Sequence, residues 1–321
     1  MTSTLDQLRQ LSVVVADTAD FQSIERFKPV DATTNPSLIL KQAQSPVTEG
    51  LISRTKGKLA DGTFQSATEA ALDLSVRFGF EIANRINGYI STEVDARFSF
   101  NTEASIEQAH QIIEKYAQLG LSKERVLIKL ASTWEGIQAA RALEAEGIGC
   151  NLTLLFCEAQ AIAAANARAT LISPFVGRIY DWYVARGEKP ESVDTDPGVL
   201  SVRRILDLYK RHGVRTIVMG ASFRTVDQVI ALAGCDRLTI SPDLLKELQA
   251  RDETIHELQH APSSGAKLAE LSRDEFLLSL AADPMANEKL ADGITRFIQD
   301  QETLESLLSD RGIIQERVIK E

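Results

Sequence analysis

The chain is poor in several things at once, and each shortage closes a class of function. Three cysteines in 321 residues, Cys150, Cys157 and Cys235, are too few and too scattered for a disulfide framework. A reduced, cytoplasmic setting is therefore expected. Positive charge is also short: 35 Lys and Arg against 45 Asp and Glu leave a net charge of −10. Nucleic acid and anionic membrane would each demand a basic surface, so neither is expected as a partner. A small phosphorylated molecule stays open, because two or three local cations suffice to hold it. The opening segment, "MTSTLDQLRQLSVVVADTAD", has no cationic stretch and no long apolar run. Neither a signal peptide nor a membrane span is expected. No G-x-G-x-x-G and no Walker A loop occurs, which removes the usual support for an open nucleotide-binding sheet.

What is present is a soluble composition, 44% hydrophobic and 25% charged, in a chain long enough for one large α/β domain or two average ones. Eight short runs rich in β-formers recur: Leu11 to Thr18, Pro29 to Asn35, Gly88 to Val94, Arg125 to Ser132, Gly147 to Phe156, Thr170 to Gly177, Arg215 to Ser222 and Asp236 to Ile240. Their near-continuous apolar character suits parallel strands covered on both faces. Helical patterns lie between them. In "TEASIEQAHQIIEKYAQLG", Ile106, Ala109, Ile113 and Tyr116 share one face and Gly120 is the stop. Asp196-Pro197 and Ser241-Pro242 each read as an N-cap followed by a first-turn proline, and Gly213 closes the former helix. The gap between the second and third runs has room for two helices, near Ser37 to Lys41 and Ala67 to Phe78.

Eight alternating units predict a closed (β/α)₈ barrel in a single domain, 1–321. From about residue 272 two further helices are expected outside the barrel. The second carries Leu290, Ile294, Phe297, Ile298 and Leu304 as an apolar stripe. The competing architecture is the open doubly wound sheet.

Barrel chemistry belongs at the C-terminal strand ends. Polar residues gather there: Asp17, Thr33 and Asn35, Glu93, Lys129, Asn151 with Thr153, Ser173 and Ser222. Singly, most have plain structural uses. Asn35 before Pro36 is a good helix N-cap, Asp17 can turn the chain, Thr153 is an ordinary β-former, and Ser173-Pro174 can be a simple turn. Lys129 resists that treatment. It sits in the middle of "RVLIKLAST", where a structural lysine would need a buried carboxylate partner, and such pairs are often neutral for stability. A desolvated amine facing acids from two other strands is what carbonyl chemistry requires of a nucleophile. "MGASFR" places Gly220-Ala221-Ser222 and Arg224 after the seventh run, and "SPFVGR" places Arg178 after the sixth. Small residues at a helix start, with an arginine, can hold a phosphate, although either arginine alone reads as a surface side chain.

"HELQH", residues 256–260, matches a zinc-protease motif with Glu257 as base. The flanks are polar and loop-like where such a helix should be buried, and no third ligand follows. Chance is the better account, and no metal is expected.

"DATTNPSLIL" (Asp31 to Leu40) and "VLIKLASTWEGIQAA" (Val126 to Ala140) resemble the two signatures of the transaldolase family. "STEVDAR", "CNLTLLF", "ISPFVGRI" and "MGASFR" follow in the family's order. The resemblance implies a (β/α)₈ barrel that moves a dihydroxyacetone unit between sugar phosphates without metal or organic cofactor. It implies Lys129 as the Schiff-base lysine, Asp17 as the acid/base at the sugar hydroxyl, and Glu93 as the acid/base acting through a water held by Thr153. Asn35, Asn151 and Ser173, with Thr33 close by, fall where the family holds dihydroxyacetone; Arg178, Ser222 and Arg224 fall where it holds phosphate, and Phe175 belongs to the same substrate-binding set. Two features depart from the family: Cys157-Glu158 after "LLF", and a tail from Ser309 past the usual end. A dihydroxyacetone-releasing fructose-6-phosphate aldolase of the same superfamily is the nearest alternative, and a non-catalytic phosphosugar-binding barrel or a zinc peptidase are the remote ones. The sequence leaves the oligomeric state open, a homodimer being one candidate.

Overall fold

A computed structural model describes residues 2–318 apart from 260, 261 and 263, with side chains described as far as 309. Each apolar run holds a strand: β1 (Val13–Asp17), β2 (Asp31–Thr33), β3 (Ile90–Glu93), β4 (Val126–Ala131), β5 (Cys150–Leu155), β6 (Leu171–Pro174), β7 (Ile217–Gly220) and β8 (Arg237–Ile240). All pair in parallel with their sequence neighbours, and β1 also pairs with β8, so the barrel closes. The open-sheet alternative is excluded.

Period 2 along the strands explains the interior. Val15, Leu127, Leu171 and Met219 form a separate apolar layer with Val13, Tyr89 and Ile217. Two residues further along the same strands stand Asp17, Lys129 and Ser173. One inward face of the barrel thus changes from apolar to polar as the strands rise. Toward the N-terminal rim the buried Asp31 pairs with Arg237 at 2.5 Å and also accepts the Tyr89 amide at 2.8 Å.

The helices largely follow their local signals. Thr102–Gln118 fills its expected span, but its fully buried positions are Ser105, Gln108, Ala109, Ile112 and Tyr116, with Ile106 and Ile113 only partly buried at the flanks. Asp196 caps Pro197–His212 through the amides of Gly198 and Val199, a contact worth about 1 kcal/mol, and Gly213 ends that helix at a φ of 61°. Ser241 occupies the N-cap of Pro242–Ala250 without a side-chain cap bond. Between β2 and β3 the chain forms three α-helices, Pro36–Ala43, Glu49–Ala60 and Ala67–Ala83, where two were expected. The unexpected one buries only Ile52 and Thr55 and contains Gly50 and Gly57, so its sequence carries little helical periodicity. An N-terminal helix, Thr4–Leu11, was also not anticipated; it packs against Pro242–Ala250.

The two C-terminal helices are Arg273–Ala281 and Pro284–Val318. The second lies outside the strand barrel and crosses its C-terminal mouth. Glu288 accepts from Trp182 Nε1 at 2.8 Å and pairs with Arg186 at 2.8 Å beyond β6, while Glu305 pairs with Arg97 at 2.5 Å beyond β3. Leu290, Ile294, Phe297 and Leu304 are buried beneath it, and Ile298 partly so. Gly293 permits the close approach, since a Cβ there would stand 2.6 Å from Leu154 Cδ2. Among the described residues, no helix is long and apolar enough to cross a membrane.

Candidate active site

Lys129 lies within the polar layer, 4% exposed. Strand register sets Glu93, Lys129 and Asn151 side by side on β3, β4 and β5. The Lys129 Nζ stands 3.0 Å from Glu93 Oε2 and donates to the Thr34 carbonyl at 3.1 Å. The carboxylate contact meets ion-pair distance but not hydrogen-bond direction. Such a contact leaves the Glu93 oxygen free to take a proton from a different angle.

Burial pushes the carboxyls of Asp17 and Glu93 above the ordinary range. Lys129, and more weakly Arg178, pull both back down, and the Asp17 charge adds a small upward push on Glu93. The mouth leaves Asp17 partly accessible, but the surrounding wall makes desolvation the larger effect. Two buried acids with raised pKa values facing the same buried amine are suited to proton transfer.

Asn151 is fixed from both sides. Ser173 Oγ donates to its Oδ1 at 2.6 Å, and its Nδ2 donates to Ser91 Oγ at 3.1 Å, all three residues being buried. Sequence reasoning did not single out Ser91, although it lies on the inward face two residues before Glu93, and that spacing was the available signal. The hydroxyls of Thr33 and Thr153 are buried without a hydrogen-bond partner. Thr153 is followed by Leu154 at a φ of 53°, within an irregularity of the β5–β6 register. Bulges of this kind re-aim side chains beside sites. Asn35 does serve as an N-cap, accepting the Leu38 amide at 2.9 Å, which occupies its Oδ1 and leaves its amide nitrogen uncommitted. It lines a small cleft together with Thr34 and Glu93.

The cations converge at the mouth. Arg178, Arg224, Lys289 and Arg296 line a cleft of about 400 Å³ with Asp181 and Asp292. Burial, helped by the neighbouring Arg296 and Arg224 charges, pushes the Arg178 guanidinium down to about 10. Like charges held together this way call for an anion. Arg178 lies between two rings, 4.9 Å from the Phe175 centroid and 5.4 Å from that of Phe297. Phe175 in turn meets Phe156 edge-on at 5.4 Å. Arg224 is held by Asp181 at 2.7 Å and approaches Ser222 Oγ at 3.3 Å. Ser222 has a φ of 61°, and its carbonyl accepts the Gly177 amide at 2.7 Å. A Cβ on Gly177 would stand 2.2 Å from that carbonyl oxygen, so the residue before Arg178 must be glycine.

The helix start expected after Ser222 is weaker than anticipated. Val226–Ile230 has five residues, and the Arg224 amide is taken by Gln228 Oε1 at 2.7 Å. Side-chain cations, more than a helix terminus, therefore define this end of the site. Arg296 was not singled out in the sequence, and Phe297 was read there only as part of a packing stripe, because nothing local links the terminal helix to the strands.

The departures from the family pattern fall elsewhere. Cys157 occupies the N-cap of Glu158–Asn166 with Gln160, burial raises its thiol to about 11, and it lines a separate cleft with Arg204 and Met285. His256 and Glu257 lie in a segment without helix, and His260 is outside the described residues. Among the described residues, no group of three His, Cys, Asp or Glu side chains is placed to hold a metal ion.

Fold and site together define a class: a (β/α)₈ barrel with a buried lysine amine paired to one acid and within the field of a second, opening on a cluster of arginines. The model of the family Transaldolase/Fructose-6-phosphate aldolase matches residues 14–308, and the chain belongs to that family. It is 51% identical to a transaldolase of Histophilus somni (strain 129Pt) over 317 residues, covering 97% of this chain and all of that protein. It is 52% identical to a transaldolase of Cellvibrio japonicus over 317 residues, again covering 97% of this chain and the whole of the relative. With a transaldolase of Xanthomonas euvesicatoria it shares 50% over 314 residues, 96% of this chain and 98% of the other.

Proposed function

We infer that this protein is a transaldolase, a transferase acting on sugar phosphates, and that Lys129 forms its Schiff base. The buried amine 3.0 Å from Glu93 carries the reading. Lys129 passes a proton to Glu93, whose elevated pKa suits it to accept one, and attacks the ketose carbonyl at C2. The proton returns through a water at Thr153 Oγ1 and water leaves, giving an iminium. Asp17 then takes the C4 hydroxyl proton, the C3–C4 bond breaks into the iminium, and an aldose phosphate departs. The enamine left on Lys129 adds to a second aldose phosphate by the reverse steps.

Asn151, oriented by Ser173, and the free amide nitrogen of Asn35 hold the dihydroxyacetone hydroxyls, with Thr33 nearby. Arg178, Ser222 and Arg224 take the phosphate, and Phe175 backs Arg178. Donors of this description are sedoheptulose 7-phosphate and fructose 6-phosphate, and acceptors are glyceraldehyde 3-phosphate and erythrose 4-phosphate, in the non-oxidative pentose phosphate pathway. The chain acts as one catalytic barrel in the cytoplasm. The same amine would serve an aldolase that releases dihydroxyacetone. The cationic mouth serves either reaction, and the similarity to transaldolases over nearly the whole chain favours transfer.

Borohydride reduction with fructose 6-phosphate, followed by peptide mapping, tests the assignment. Label on Lys129 with loss of activity is expected. Label on another lysine, or none, refutes it.

A further inference from the structure

The reaction just described makes no use of the terminal helix, yet that helix supplies the ceiling of the lysine chamber. The Phe297 ring is 1% exposed and its centroid lies 6.0 Å from Lys129 Nζ. The same ring lies 5.4 Å from the Arg178 guanidinium, opposite Phe175 at 4.9 Å. Arg178 makes no ion pair among the described residues; the two rings pack against its guanidinium, with the Glu93 and Asp17 charges acting from further off. One helical turn earlier, Gly293 lets the helix settle against Leu154, the residue after Thr153. Phe297 therefore covers the amine, braces the phosphate-binding arginine, and sits on a helix seated directly on β5.

We propose that Phe297 determines specificity for transfer over hydrolysis: it closes the Lys129 chamber to bulk solvent, leaving the one water at Thr153 and shielding the enamine carbon from protonation, and it positions Arg178 for phosphate. This rests on the transaldolase reading above. The three-carbon enamine has two fates. It can form a C–C bond with an acceptor aldehyde. Alternatively it takes a proton at carbon and becomes an iminium, to which water adds with loss of a proton. The C–N bond then breaks, nitrogen takes that proton, and dihydroxyacetone leaves with the amine regenerated. The second route begins with a proton delivered to carbon and consumes one water, both supplied by solvent, so closing the chamber suppresses it.

The unmodified chain, Phe297→Ala and Phe297→Leu are compared with fructose 6-phosphate, with and without erythrose 4-phosphate. Trapped adduct on Lys129, transfer product and free dihydroxyacetone are measured. All three proteins should trap the adduct. Dihydroxyacetone released per transfer should rise about tenfold or more in Phe297→Ala, where space for water opens, and less in Phe297→Leu, which keeps most of the volume. KM for the phosphorylated donor should rise about 3- to 10-fold in both, since each leaves Arg178 with the Phe175 ring alone. A uniform loss of kcat with unchanged partition and KM would make Phe297 merely structural and overturn the proposal. If Phe297→Ala does not fold by circular dichroism, the KM and partition of Phe297→Leu decide. Failure of the unmodified chain to trap adduct on Lys129 would be a failure of the transaldolase reading, distinguishable from both results.

Discussion

Asp17→Asn should separate chemistry from stability in opposite directions. The substitution keeps the shape of a side chain at the end of β1 and removes its charge and basicity. The proton it is assigned, from the C4 hydroxyl, moves only after the iminium exists. Adduct formation should therefore survive while cleavage falls about 10²–10⁴-fold, the range for a lost general base, or ~2.7–5.4 kcal/mol of barrier. Stability should go the other way. Burial raises the Asp17 pKa, and the Lys129 and Arg178 charges offset only part of that rise. A carboxyl raised in the folded state contributes its stability below the unfolded value near 3.8, and loses it as pH climbs through the folded value. At pH 7 the ionised Asp17 is thus a net cost, which Asn removes. The melting temperature of Asp17→Asn should exceed that of the unmodified chain at neutral pH, and the gap should shrink as pH falls toward 4. Thermal melts across pH, with rapid-quench borohydride trapping, measure both effects. A variant that is less stable at neutral pH, or that cannot form the adduct, would refute the assignment of Asp17 as a strained base acting after the iminium.

Three further substitutions test neighbouring parts of the site. Glu93→Gln should slow formation of the reducible adduct itself, because its proton traffic precedes cleavage; trapping kinetics that match those of Asp17→Asn would show the two acids acting as one coupled unit. Arg224→Ala should raise KM for phosphorylated substrates about 10- to 100-fold, as a charge-assisted contact worth ~1.5–3 kcal/mol requires, and leave unphosphorylated analogues little changed. Equal losses on both substrate types would instead assign Arg224 to its contact with Asp181. Ser91→Ala would strand the Asn151 amide in a site with no exposure, costing ~1–3 kcal/mol. With ~2.1 cal/mol/K of unfolding entropy per residue, that is a fall of roughly 1.5–4.5 °C in Tm; an unshifted melt would mean that Asn151 re-forms its bond elsewhere.

How far the sequence could be read depended on whether a signal was local. Parallel strands buried on both faces concentrate apolar residues into short runs, so all eight strands were legible, and polar residues interrupting those runs marked the mouth. Lys129 was conspicuous because a charge at its position has no inexpensive structural use. The helix Glu49–Ala60 was not legible, since its burial is slight and its periodicity correspondingly faint. Thr4–Leu11 had a usable signal in Ser3 as N-cap with Leu5 and Leu8 one turn apart, but it runs straight into the first apolar run. Ser91 was obscured for a different reason: a serine inside "STEV" is ordinary strand composition, and only the Asn151 amide reaching it from β5 gives it a part.

The terminal helix shows where reading from local pattern stops. Its stripe correctly implied packing, because Leu290, Ile294, Phe297 and Leu304 fall on one face whatever that face meets. Amphipathicity fixes which side of a helix is covered, but says nothing of what covers it. Here the partner is the barrel mouth, and the crossing is set by ion pairs far apart in sequence, Arg97 with Glu305 and Arg186 with Glu288. Together with the close seat of Gly293 on Leu154, those pairs bring Phe297 over a lysine 168 positions away. A residue that reads as packing in the sequence can therefore form a wall of the reaction chamber. The same apolar side chain that packs the helix also covers the amine, so stability and chemistry are coupled through one ring.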